Sequence, residues 1–220
     1  MDFIHAFIDS WPLFIKATWV TLALSAVALL MAVPGGALVS GMAMGRIAPL
    51  RWLATAYIGV VRGTPLITQI FILYFGLSAL FLLNGFWAAA IALAFHNSAY
   101  IAEIFRSGFQ SVPTGLTEAS RSLGMSKVKT LRRVQAPLAI RTALPALGNQ
   151  FIIAVKDSSL AAFVTVTELF GEARHQSAAH YSPLQYYIIV AIYYLIIVLI
   201  LTFLVNRLEH RLSQHRRAEA

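Results

Sequence analysis

Residues Leu184–Val205 read LQYYIIVAIYYLIIVLILTFLV, 22 positions without a single charge. A hydrocarbon core about 30 Å thick takes about 20 helical residues. The stretch is therefore expected to cross a membrane with one face toward lipid. Inside a bilayer no water is available to the backbone, so a crossing segment of this length must satisfy its own N–H and C=O groups as a helix. The composition extends the reading to the whole chain: 59% of the 220 residues are hydrophobic and 12% charged, against about 45–50% and 25% in soluble domains. A soluble globular domain is excluded. Zero cysteines also exclude a disulfide framework, thiolate metal sites and cysteine nucleophiles.

Moving back from Leu184, further apolar stretches run from Ala143 to about Phe170 and from Phe86 to about Phe109. Another, over residues 52–83, is interrupted by Arg62-Gly63-Thr64-Pro65 and reads as one bent span. The first runs from about Ala17 to Met44 with a bend expected at Pro34-Gly35-Gly36. It starts late and lacks an A-x-A cleavage pattern, so it is expected to stay in the mature protein. The expectation is one all-α, five-span membrane domain over residues 1–220.

Five spans put the termini on opposite sides, and cytoplasmic segments collect Lys and Arg. With the N-terminus outside, the inner segments hold 12 of the 17 basic residues, among them Arg46, Arg51, Arg121, Lys127, Lys129, Arg132, Arg133, Arg141 and Arg207. Only Lys16 and Arg174 lie outside, so the net charge of +8 is topological and calls for no nucleic acid.

The connection from Val112 to about Arg141 is the long one, about 30 residues. Ordered loops of that length usually carry function. Thr114 or Thr117 is placed to cap a first short helix, Gly124 to end it, and Ser126 to cap a second that runs to about Val134 before Pro137.

This loop reads Glu118-Ala119-Ser120-Arg121-Ser122-Leu123-Gly124, then nine residues, then Val134-Gln135-Ala136-Pro137. It resembles the E-A-A-x3-G-x9-I-x-L-P motif of binding-protein-dependent ABC importer permeases, with Ser120, Val134 and Ala136 as small departures. The resemblance implies that the loop is a coupling helix docking on a cytoplasmic ATPase, with Glu118, Ala119, Ser120, Gly124 and Pro137 as its residues. It extends over nearly the whole chain and points to the polar amino acid importers, through Arg62-Gly63-Thr64-Pro65-Leu66 with Gln69, through Asn97, Tyr100 and Glu103, and through Lys156-Asp157-Ser158-Ser159-Leu160 with Glu168-Leu169-Phe170. Pro49–Leu77 and Lys156–Phe170 look most like cystine-type permeases.

What the resemblance implies about partners follows: two cytoplasmic ABC ATPase subunits, a second permease subunit either identical or homologous, an extracytoplasmic amino-acid-binding protein, and membrane lipid. ATP and magnesium belong to the ATPase subunits and no cofactor to this chain, which contains no G-x-x-x-x-G-K-[ST] phosphate loop.

Polar residues inside the spans are the candidates for a translocation pathway. His96, Tyr100 and Glu103 recur at i, i+4 and i+7, with Asn97 beside them. Lys156 and Asp157 together cost about 5–7 kcal/mol on the insertion scale, while the apolar residues of the fourth span return about 3–6 kcal/mol. That span is therefore expected to pack inside protein, with Glu103 or Arg62 as neighbours for its charges. An amino acid presents a carboxylate and an ammonium, so a chamber wants a cation such as Arg62 or Lys156 near an anion such as Glu103 or Asp157. The competing reading is a structural network that never meets substrate. Glu168 and Glu172 fit a structural or outer docking role, and His96 has no second His or Cys at ligand spacing for a metal. Small residues at Ala37, Gly41 and Gly45, and at Gly59 and Gly63, suggest close helix contacts, within the subunit or across a dimer.

Two other function classes remain open at this level. A proton-coupled transporter or channel would use Glu103 or Asp157 and need a proton gradient. A membrane scaffold would leave the intramembrane charges dispensable.

Overall fold

The computed structural model describes residues 3–76 and 83–217, and helix is the only regular structure among the described residues. α1 (Phe3–Met44) is a 42-residue helix, about 63 Å long at 1.5 Å per residue. It begins well before Ala17 and runs without a break through Pro34. α2 (Ala48–Gly63) and α3 (Leu66–Phe71, extended by a π turn over Ile72–Gly76) form a pair bent by 103° at Thr64-Pro65. Proline has no N–H and keeps the preceding residue out of the α region, which fixes the break there. The rest of the bent span expected over 52–83, residues 77–82, lies outside the described residues.

α4 (Gly85–Gln110) is capped by Asn84, whose side chain accepts from the Trp87 N–H at 3.0 Å. Two short helices follow, α5 (Thr114–Ser122) and α6 (Lys127–Thr130), and then α7 (Ala136–Asp157), α8 (Leu169–His180) and α9 (Pro183–Arg217). Four helical runs, α1, α4, Lys127–Val164 and α9, are each long and apolar enough to cross a membrane, and the bent α2–α3 pair makes up to five.

Three expectations change. α5 starts after Pro113 with no side-chain cap, so Thr114 and Thr117 lie inside the helix and cap nothing. Pro137 does not stop the second loop helix. A π turn at Leu131–Gln135, in which the Ala136 N–H bonds back five residues to the Leu131 carbonyl, shifts the register so that Pro137 enters the first turn of α7, where its missing N–H costs nothing. The fourth span ends earlier than Phe170. α7 tightens into a 3-10 segment over Ser158–Val164, and Thr165 turns the chain with φ +67°. A β-branched residue in the left-handed region is strained. The corner is held from outside by the start of α4, where a Cβ on Gly85 would stand 1.8 Å from the Val164 carbonyl oxygen, so only glycine fits.

Packing gives the helix directions. Leu24 and Ala28 of α1 share a buried cluster with Ala89 and Leu93 of α4, and farther along Gly36 lies against Ser98 and Ile101. α1 and α4 therefore run parallel. α7 runs against α4, because Gly85 meets Val164, Asn97 meets Gln150 and Gly108 meets Ala139. α9 covers α1 and α8 through Phe14, Leu169, Tyr186 and Ile189. Gly41, Gly59 and Gly63 have open space where a Cβ would stand, so they mediate no close helix contact within this chain. Trp11, Trp52, Trp87 and Tyr181 are exposed as an interfacial belt requires, whereas Tyr186 is 2% exposed and stacks on His180.

Candidate functional site

Two places concentrate the candidate residues. The first is the α5–α6 hairpin. Glu118 and Ala119 are exposed on α5, and Ser120 is buried at its inner face. The Ser120 hydroxyl donates to the Thr117 carbonyl at 2.8 Å and lies 3.2 Å from the Thr130 hydroxyl of α6. The serine that departs from the family's alanine thus ties the two helices together. Gln135 adds a bond from its amide to the Thr117 hydroxyl at 3.0 Å. The turn between the helices is made at Gly124, φ +78°, with the Met125 N–H closing back on the Ser120 carbonyl. This left-handed closure admits glycine with little strain. The Arg121 guanidinium donates to the Met125 carbonyl, and the Ser126 side chain accepts from the Lys129 N–H. The hairpin surface carries exposed Leu116, Leu123, Val128 and Leu131, with Leu123 at 84% exposure. Such apolar side chains on a rigid two-helix tip suit a partner protein better than water. Pro137 stands apart, in the first turn of α7.

The second place is a cleft of about 460 Å³ between α2, α4 and α7, lined by Arg62, Tyr100, Glu103, Arg106, Thr142 and Gln150 among others. Arg62 is carried at the end of α2, and the break after it is stapled by Gln69, whose amide donates to the Val61 carbonyl at 2.9 Å and the Thr64 hydroxyl at 2.8 Å. Gln69 also meets His96 Nδ1 at 3.2 Å, and the His96 ring lies 5.2 Å from the Tyr100 ring. The Arg62 guanidinium sits over Tyr100, 5.1 Å from the ring centre. Such a cation–π contact holds the charge without neutralising it. Glu103 is engaged by Arg106, with Nη2 2.7 Å from Oε2 and Nε at 3.2 and 3.1 Å from the two oxygens.

The structure therefore brings Arg62, His96, Tyr100 and Glu103 into one polar line. It does not bring Lys156 or Asp157 into it. Lys156 is exposed, and neither of its expected neighbours, Glu103 or Arg62, stands beside it: Glu103 pairs with Arg106 and Arg62 lies over Tyr100. Asp157 is half-buried beside it. Asn97 is fully buried, donating to the Leu93 carbonyl at 2.7 Å and accepting from Gln150 at 2.7 Å, which ties α4 to α7. Glu168 is 0% exposed and accepts from the N–H groups of Phe170 and Gly171 and from the Tyr194 hydroxyl, at 3.0, 2.7 and 2.7 Å. Glu172 is also buried and accepts from Gln176.

Arg106, Gln69 and Gln150 were not among the pathway candidates read from the sequence. The i, i+3 spacing of Glu103 and Arg106 on one helix was the available signal for the first. Gln69 and Gln150 act across helices, and no spacing within one helix reports that.

A second cavity, about 490 Å³, opens at the α4 N-terminus among Lys16, Asn84, Thr165 and Glu172. Among the described residues no three His, Asp or Glu side chains converge as a metal site would need.

Comparison with known proteins agrees with this architecture. The chain is 37% identical over 226 residues to the nopaline transport system permease protein NocM of Agrobacterium fabrum, covering 98% of this chain and 94% of that one. It is 38% identical over 210 residues to the glutamine transport system permease protein GlnP of Escherichia coli, covering 92% and 94%. A crystal structure of an amino acid ABC transporter with histidines superimposes with a TM-score of 0.90 at 37% identity, covering 96% and 99% of the two chains. Inward-facing MetNI methionine ABC transporter structures, at 23% identity and TM-score 0.79, share the fold. Residues 32–214 match the family model described as binding-protein-dependent transport system inner membrane component, and the chain belongs to that family.

Proposed function

We propose that this chain is the membrane permease of an ATP-driven importer of polar amino acids, with the α5–α6 hairpin as its docking element for a cytoplasmic ABC ATPase. The observation that carries the reading is the hairpin itself. Glu118, Ala119 and Gly124 stand at the motif's offsets on a tip stiffened by Ser120, Thr130 and Gln135, with exposed leucines that none of the described residues covers. The relatives named for nopaline and glutamine support a polar amino acid as cargo, and cystine is one member of that class.

The N-terminus lies outside and the C-terminus inside. This orientation gathers Arg46, Arg51, the basic α5–α6 hairpin and Arg207 on the cytoplasmic side. Two permease subunits, identical or homologous, stand on two ATPase subunits that hold ATP and magnesium, and a binding protein delivers the amino acid from outside. The cargo passes the cleft, where Arg62 meets the carboxylate, Tyr100 flanks it, and Glu103 with Gln150 offers oxygen acceptors to the ammonium. Catalysis of ATP hydrolysis resides in the partner.

The Gly124→Asp variant tests the docking role. Asp tolerates φ +78° at a modest strain, but adds a charged side chain to a turn where open space now surrounds the glycine. The expected result is normal insertion and helicity, loss of ATPase on co-purification, and uptake reduced at least about tenfold, equivalent to about 1.4 kcal/mol of docking energy. Full uptake with the ATPase retained would remove the assignment.

A further inference from the structure

The bent pair α2–α3 breaks a helix beside the middle of α4, where a bilayer leaves no water to take up loose backbone groups. In an unbroken helix the Val61 carbonyl would accept from the N–H four residues on. That residue is Pro65, which has no N–H. A side chain supplies the donor instead. Gln69 Nε2 donates to the Val61 carbonyl at 2.9 Å and to the Thr64 hydroxyl at 2.8 Å, and that hydroxyl donates to the Val60 carbonyl at 2.9 Å. A carbonyl only accepts, so the nitrogen end of the Gln69 amide must face the break. Its oxygen then faces His96 Nδ1 at 3.2 Å, and that nitrogen must carry a proton to meet it.

We propose that Gln69 is the positioning residue of the cleft between α2, α4 and α7: its amide replaces the N–H that Pro65 lacks, holds the bend, and so keeps Arg62 over Tyr100, while His96 sets which end of that amide faces the bend. The inference rests on the preceding reading of the cleft as the cargo's path, and adds what fixes the place of its cation. Arg62 follows Val61 directly and enters no salt bridge among the described residues. Its contact is the Tyr100 ring, 5.1 Å from guanidinium carbon to ring centre, and a cation can slide over such a face. The backbone that carries Arg62 therefore decides where it stands. Beyond the bend, Leu66 and Ile70 of α3 are buried with α1 and α4, whereas α2 buries only Ala54 and Val61 of its 16 residues. Without the amide, α2 is the arm that moves, and Arg62 moves with it. Among the described residues that line the cleft neither Gln69 nor His96 appears, so both act through Arg62.

The test reads geometry and transport on the chain in its own complex. Gly59→Cys on α2, where open space surrounds the glycine, and Thr68→Cys on the exposed side of α3 carry spin labels, in a chain with no cysteine of its own. Uptake of a radiolabelled mixture of amino acids is measured in cells against cells lacking the chain. With Gln69 in place the labels are expected to give one narrow distance. Gln69→Met is expected to broaden or shift it and to lower uptake at least about tenfold, as misplacing a binding group by about 1 Å does, with the ATPase still co-purifying. His96→Phe keeps a ring beside Tyr100 but no donor and is expected to act in the same direction. His96→Asn returns a donor near the place of Nδ1 and is expected to recover both the narrow distance and uptake. These two variants carry the test should Gln69→Met fail to fold. In Gln69→Met, an unchanged distance or unchanged uptake overturns the positioning role, as does equal loss in the two His96 variants, and the cleft reading stands so long as Arg62→Gln abolishes uptake. Uptake that survives Arg62→Gln, or none above background with the unaltered chain, overturns the cleft reading and the inference with it.

Discussion

Glu168 and Lys156 stand twelve positions apart and have opposite surroundings. Glu168 is completely buried, and two backbone N–H groups and a tyrosine hydroxyl fill its carboxylate. It closes the start of α8 and fastens that helix to α9. Lys156 is exposed at the end of α7 and enters no ion pair among the described residues. Hydropathy marks both as expensive and cannot separate them. The difference lies in whether the hydrogen-bonding capacity is used up inside the chain. A polar group closed internally holds the fold together, and one left open waits for something outside the chain. Asn97 with Gln150 belongs to the first kind and Arg62 to the second.

The sharpest way to break this division is Glu168→Leu. It strands three donors, the buried Gly171 N–H and the part-buried Phe170 N–H and Tyr194 hydroxyl, at about 1 kcal/mol each, so a loss of about 3 kcal/mol is expected, read as a lowered thermal transition in detergent. A melting temperature equal to the wild type's would show that the carboxylate is not closing the helix. Asn97→Leu is expected to cost about 1–3 kcal/mol by leaving the Gln150 amide unsatisfied, and the pair Asn97→Leu with Gln150→Leu should recover part of that loss. Strictly additive losses in the same thermal assay would mean that the two side chains do not act as a unit. The smallest stability effect belongs to Lys156→Leu, which is expected to stay within about 0.5 kcal/mol of the wild type while ATP-driven uptake falls. Wild-type uptake together with wild-type stability would leave Lys156 without a role and erase the distinction.

The membrane class, the position of the α5–α6 hairpin and its closing glycine were legible in the sequence. Each rests on local pattern: a run of apolar residues, a cap at Ser126, and a glycine where the chain turns left-handed. What escaped was nonlocal. Pro137 looked like a stop because a proline usually is one, yet a π turn five residues long absorbs its missing N–H. The fourth span looked longer than it is because Val164–Phe170 is apolar enough to continue. The turn at Thr165 is imposed by Gly85, from a helix about 80 positions earlier in the chain. Within the cleft, the polar face of α4 was visible as a helical spacing. That Arg106 takes Glu103, leaving Lys156 and Asp157 to other surroundings, depends on rotamers and helix packing that spacing does not encode.

The unbroken passage from Lys127 to Val164 covers 38 residues, about 57 Å of helix. One end is knitted to the hairpin through Ser120 and Thr130, and the other is wedged under Gly85. A body with both ends so engaged would, if it tilted whole, act as a seesaw. Each degree of tilt about its middle swings the two tips by about 0.5 Å in opposite senses, from the length alone. In such a tilt, narrowing at one tip goes with widening at the other, and no separate signal has to travel between them.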